Sequence, residues 1–316
     1  DEIHDTITKF FGTEAQRELV VDLTSSSPRH AGTAYWGRIR MNLQAKGLES
    51  RLPAVLGHEL CHVYIDQLSE NQVSEKFDAT RFFHEGLASW VEYEFFRPAD
   101  ERKDIRRVAA AAHDRERIRF EELASSARLS ESYAAEWVYP LGEIFLAAVI
   151  ETWGEDAPAK IVRAFSRPDA PTGLSGVPLW QDTFQAAGFD LEAAIAAFFQ
   201  KLDDVVTEER DWLDSLPELR GQLLTQGDRI GVKVLPADSD VASGNIPPRR
   251  ELFVRFRQGP GTPETEYQVR RPSKDQIARI SRDFFPGGSV EFQIVHLPDE
   301  TLMMPIFGPW VSARVR

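Results

Sequence analysis

The sequence predicts an α+β chain in two parts: a small β-sheet plus a mostly helical lobe over residues 1–215, then a β-sandwich of roughly immunoglobulin size over 216–316. Three observations carry this expectation. Apolar and polar residues alternate in short runs between 18 and 43. From Leu52 to about Leu213 the text is rich in alanine, leucine and glutamate, with apolar residues recurring every three or four positions. Past 216 the apolar runs become short and alternating, with glycine and proline between them.

In chain order, "DEIHDTITKFF" (1–11) reads as a short helix closed by Gly12. "ELVVDL" (18–23) and "GTAYWGRIRMNL" (32–43) read as strands, the second setting Ile39, Met41 and Leu43 against Arg38, Arg40 and Asn42. Breaks in the helical region fall at the glycines and prolines of 97–98, 154, 168–171 and 173–178. "FDLEAAIAAFFQKLDD" (189–204) is an amphipathic helix with Asp190 as its cap. The later strands are "DRIGVKVLPAD", "RRELFVRFRQ", "TEYQVRRP" and "GSVEFQIVHLPD", with turns such as "GPGTPE" and "FPGG".

Composition narrows the function. The chain is 42% hydrophobic and 10% aromatic, enough for a substantial core. Its 50 acidic and 37 basic residues leave a net charge of −13, which repels phosphate backbones and argues against nucleic acid as a partner. No apolar run approaches a bilayer span; "LGEIFLAAVIETW" is too short and carries glutamates, so no transmembrane segment is expected. A lone Cys61 rules out an internal disulfide framework. Residue 1 is aspartate, and a secreted, periplasmic or cell-surface placement is the expectation if a signal peptide was removed ahead of it. Neither a glycine-rich phosphate loop nor a GxSxG elbow is present.

The chemistry concentrates in "VLGHELCHVYIDQ". His58 and His62 are four apart in helical text, so both imidazoles leave one face, one turn apart. That suits two corners of a tetrahedral zinc site, where each nitrogen lies about 2 Å from the metal. Glu59 leans to one side of the pair, where a general base for a water molecule belongs. A catalytic zinc needs a third protein ligand and an open position. Glu85, at the start of the amphipathic "RFFHEGLASWVEYEF" (81–95), is a candidate.

"HELCH" followed some twenty residues later by "HEGLASWVEY" resembles the gluzincin metallopeptidases, thermolysin-like and aminopeptidase N-like enzymes and their smaller peptidase MA-like relatives. The resemblance covers roughly 30–200 and implies a zincin-like fold, a zinc ion as cofactor and Glu85 as third ligand. The spacer between His62 and Glu85 is a few residues longer than usual in that group, a difference the polar "SENQVSEKFDAT" can absorb. "WVYPLGEIFLAAVIETWG" (137–154) resembles the group's YxxG stretch and implies that Tyr139 donates to the oxyanion, with Gly142 completing the match; Tyr133 is the competing tyrosine. The strand upstream of the zinc helix lies where the group places a substrate-pairing sheet edge.

This sequence departs from the aminopeptidases in carrying no acid between His30 and Leu48, which favours an endopeptidase. His84 is a rival ligand to Glu85, but neighbouring helical residues point about 100° apart, so both do not reach one ion. Cys61 reads as a small buried helix residue, and Asp66 extends the 58/62 face by a turn, where it would orient His62 or be solvated. His4, His30, His113 and His296 have no metal-like spacing.

The expectation is therefore a zinc-dependent endopeptidase acting on peptide or protein substrates, with His58, His62 and Glu85 on the metal, Glu59 as base and Tyr139 at the oxyanion. The reading from another class is a non-catalytic zinc-binding scaffold used for binding or adhesion. A third is a metal-dependent hydrolase of a non-peptide amide or ester. Oligomeric state is not readable from the sequence.

Overall fold

A computed structural model describes residues 2–14, 18–24, 31–35, 37–42, 44–45, 48–237, 246–263, 266–298 and 304–314. It is mixed α and β. The chain runs through α1 (Glu2–Phe11), β1 (Val20–Thr24), β2 (Gly32–Tyr35) and β3 (Arg38–Asn42), then α2 (Leu48–Leu68), α3 (Gln72–Glu75), α4 (Phe77–Phe95) and α5 (Ala99–Glu116). Next come α6 (Phe120–Leu123), α7 (Ser126–Ser132), α8 (Val138–Trp153), α9 (Ala157–Ala164), α10 (Gly176–Ala187), α11 (Leu191–Glu208) and α12 (Arg210–Ser215). The remaining strands are β4 (Leu219–Gln226), β5 (Arg229–Pro236), β6 (Leu252–Arg257), β7 (Gln268–Arg270), β8 (Ile277–Ser281), β9 (Ser289–His296) and β10 (Ile306–Arg314). No helix among the described residues is long and apolar enough to cross a membrane.

Contacts divide the chain into two compact units: Asp1–Ala109, Ile118–Ser126 and Glu136–Val205 in one, and Ala110–Arg117, Ala127–Ala135 and Val206–Arg316 in the other. The last helix before the strands ends at Ser215. Three helical stretches within 1–215, at 110–117, 127–135 and 206–215, cluster with the strands of the second unit.

In the first unit a three-stranded sheet has the order β1-β3-β2, with β1 parallel and β2 antiparallel to β3. This corrects the expectation of one strand over 32–43. Tyr35 pairs with Arg38, and Gly37 takes a φ of 82°, a left-handed conformation that glycine adopts without strain. The alternation of Ile39 and Met41 survives in β3, both of them buried; His30, Trp36 and Leu43 lie outside the described residues. Helix α2 begins four residues earlier than its periodicity suggested, at Leu48. α1 docks on α2 through Tyr64, whose hydroxyl is 2.6 Å from Thr8 Oγ1 and 3.2 Å from His4 Nε2. Asp190 caps α11 as expected, accepting from the Glu192 amide at 2.9 Å.

The core of this unit is aromatic. Phe82 of α4 meets Phe120, Phe145 and Trp180 edge-on at 5.1–5.5 Å, and the buried Trp180 indole donates to the Ala79 carbonyl at 2.8 Å. Helices α4 and α8 approach until their backbones touch. A Cβ on Gly142 would stand 2.2 Å from the Phe82 carbonyl oxygen and 2.6 Å from Gly86 Cα, and a Cβ on Gly86 would stand 2.5 Å from the Gly142 backbone. Only a glycine pair permits that crossing. Immediately after it, the fully buried Glu143 accepts from Arg102 at 2.8 Å and from Arg106 at 3.0 Å, which ties α5 to α8.

In the second unit, the strand order is β10-β9-β6-β7 in one sheet and β4-β5-β8 in the other. Ile230, Val232 and Val234 of β5 share one core with Val254 and Phe256 of β6 and Val290 and Phe292 of β9. Strands β4, β8 and β10 were not anticipated from sequence. β10 carries Pro309, and its register shifts between Phe307 and Trp310, as a proline without an N–H requires. Buried Arg257 pairs with Glu291 at 2.6 Å, stacks on Trp310 at 4.0 Å and donates to the Ser130 and Glu131 carbonyls at 2.8 Å. This anchors α7 within the same unit, where Tyr133 presents its carbonyl to Gln293 and Trp310.

The glycine crossing yields a direct test. Gly142→Ala should lower the unfolding free energy by about 3 kcal/mol, the scale of overpacking a rigid contact, read as a fall in denaturant midpoint at constant slope. A variant as stable as the parent would show that α4 and α8 are free to separate.

Candidate metal centre

α2 supplies His58 and His62, one turn apart, and α4 supplies Glu85. Their donor atoms all lie within 4.8 Å of one another, the one group of metal-capable side chains found among the described residues. Nε2 of His58 is 3.5 Å, and Nε2 of His62 is 3.4 Å, from the same oxygen of Glu85. Two donors each about 2.1 Å from a tetrahedral ion stand about 3.4 Å apart, so this spacing fits zinc. The two imidazoles are nearly perpendicular, with centroids 4.8 Å apart, and both direct Nε2 at the carboxylate.

A residue that sequence reasoning missed fixes one of those rings. His58 Nδ1 is 2.9 Å from Glu92 Oε2, which directs the opposite nitrogen at the cluster. Glu92 is in turn held by Arg97 at 2.5 Å, and Arg97 also reaches Glu101 at 2.7 Å. Glu92 lies seven residues after Glu85, two helical turns along the same face, so the spacing that singled out His62 was available to find it.

The buried titratable groups of the site shift one another. Burial disfavours a charged His58, but the carboxylates of Glu85 and Glu92 outweigh it and push the imidazole up to about 10. Burial would likewise raise Glu85, yet His62 and His58 hold its carboxyl well below the usual range. The buried Glu59 behaves differently: burial lifts its carboxyl above the usual range despite His58 and His62, the direction a general base needs. Its side chain lies against β2, where a Cβ on Gly32 would stand 2.6 Å from Glu59 Cγ and 2.7 Å from Oε1. Gly32 therefore makes room for Glu59. Nothing in the residue pattern had singled that glycine out.

Tyr139, in the first turn of α8, has its ring centroid 6.3 Å from that of His58. The charge of Glu85 and then burial raise its hydroxyl above the usual phenol range, against a hydrogen bond from Arg81, so it remains a proton donor. Arg81 precedes Glu85 by one turn on α4 and also reaches Ser126 at 3.3 Å. Tyr133 belongs to the other unit.

His84 is buried, its ring stacks on His62 at 4.0 Å and 20°, and among the described residues neither of its nitrogens has a hydrogen-bond partner. Burial, followed by the charge of His62, holds it well below the usual histidine range. Asp66 is buried rather than solvated: it accepts from Ser74 at 2.5 Å and stands 4.0 Å from His84 Nε2, with no hydrogen bond to His62. Cys61 is fully buried, and burial pushes its thiol well up.

Glu92→Gln should weaken zinc binding by about 10- to 100-fold, measured by competition with a chromogenic chelator, without unfolding the chain. Unchanged affinity would mean that His58 needs no such partner. A scan against protein-family models found no match to this chain, and a search of curated proteins found none either.

Proposed function

We propose that the chain is a zinc-dependent hydrolase of peptide bonds, of the gluzincin type that its "HELCH" and "HEGLA" stretches resemble. The observation that supports this most is the meeting of two imidazole nitrogens from one helix with one carboxylate oxygen from the next, at tetrahedral spacing, beside a buried carboxyl. Two histidines and one glutamate are a donor set suited to zinc with a position left for substrate or water. When bound, zinc supplies positive charge to a carbonyl oxygen and acidifies water.

The chain's own residues do the rest. Glu59 takes the proton from the attacking water and later hands it to the leaving amine, a task that its raised affinity for protons favours. Tyr139, kept protonated, donates to the oxygen that gains charge, with Arg81 beside it to balance Glu85. Glu92 keeps the His58 ring in one orientation. β2 is at the edge of its sheet and lies against Glu59, so an extended peptide pairing there would carry its carbonyls past the base. A scaffold that only bound metal would need neither a buried Glu59 nor a glycine cut away to fit it.

Glu59→Gln should keep about one zinc per chain and lose hydrolysis of an unbiased peptide library by about 10²-fold or more. Turnover that survives the change would remove the general base from the scheme, and purified protein that takes up no zinc would remove the metal. Tyr139→Phe should cost kcat about 100-fold with little change in KM; a near-neutral effect would take the oxyanion role away from this residue.

A further inference from the structure

The second unit contains a cavity of about 530 Å³, walled by Trp212, Asp214, Ser215, Pro247, Glu251 and His296 among others. That is the volume of a small-ligand site. His296, at the end of β9, is 6% exposed, and among the described residues its Nε2 has no hydrogen-bond partner. A buried polar atom left in that state costs free energy unless something fills the place beside it. Among the described residues the carboxylate oxygen beside it, Glu251 Oε2, is 3.9 Å away, too far for a hydrogen bond. Arg250 approaches the other oxygen of Glu251, at 3.6 Å.

We infer that this cavity binds a primary alkylammonium group, a lysine side chain or a small amine. A single nitrogen about 2.8 Å from each of the two atoms would bridge the 3.9 Å gap, donating to both. Such a group must be donor-rich, because the polar wall offers acceptors. Glu251 and Asp214 present carboxylates and Ser215 a hydroxyl. Burial, then the charge of Arg115, lowers His296 to about 4, so its ring is neutral near pH 7 and Nε2 can accept.

Charge points the same way. Arg115, whose charge reaches His296, is itself faced by Glu218, Asp114 and Glu116, and Arg210 is engaged with Asp114 at 2.8 Å and Asp214 at 3.4 Å. That leaves Glu251 as the carboxylate deepest in the wall, 15% exposed against 65% for Asp214. Trp212 and Pro247 give the alkyl stem an apolar wall, and the indole face also attracts a cation. An anionic or purely apolar ligand would leave Glu251 and His296 unanswered.

The test titrates the full chain, with EDTA present so that the metal cluster plays no part, using N-acetyl-lysine methylamide and its norleucine counterpart. Calorimetry or amide chemical shifts should show saturable binding of the lysine compound with a Kd of about a millimolar or below, and none of the norleucine compound. Glu251→Gln should weaken the lysine compound by about tenfold or more, the worth of one charge-assisted hydrogen bond. Absence of saturable binding, equal binding of norleucine, or an unchanged Kd in Glu251→Gln would overturn the assignment. Should Glu251→Gln fail to fold, the exposed Asp214→Asn decides: a loss of about threefold supports the site, and an unchanged Kd overturns it.

Discussion

Two glycines set the distance on which the candidate site depends. Gly86 follows Glu85, and Gly142 lies three residues past Tyr139, so the place where α4 and α8 touch is also the place from which the carboxylate and the phenol project. Were the helices at the 8–10 Å spacing usual for larger interfacial residues, the Tyr139 hydroxyl would recede from Glu85 and Arg81. The buried Glu143 with its two arginines holds α8 from the other side. The crossing is thus clamped at the same turn that carries the chemistry.

Electrostatics then divides three glutamates on two helices into different roles. Glu85 and Glu92 sit close enough to imidazole nitrogens to stay ionised in spite of burial, whereas Glu59 is held where burial prevails. In a low-dielectric interior such differences in contact are enough to separate groups of the same intrinsic acidity.

Much of this was legible in the sequence, for identifiable reasons. The 58/62 spacing is a property of the helix, and Glu85 stands out because its helix repeats cleanly through Phe82, Leu87 and Val91. Glu92 and Arg81 lie on that same face, but nothing in the residue pattern separates them from charged residues that are simply solvated. Gly32 and the burial of His84 were not legible: both depend on which element packs against which, a fact that lies between segments rather than within one. The hairpin at 32–43 was hidden by an alternation that continues in phase across Gly37. Strand β4 was hidden by the polar residues and glycine within "LRGQLLTQ", β8 by the charged and polar residues around its five positions, and β10 by its internal proline.

The burial of Cys61 has a practical consequence. It is the chain's one thiol, and in the folded molecule it is sealed against reagents and held protonated, so alkylation must wait for the helix around it to open. Maleimide uptake under native conditions therefore acts as a clock on the opening of α2, the segment that also carries both histidines. Following its rate with and without added metal would show how firmly an ion fastens that segment, with no engineered cysteine and no substrate known.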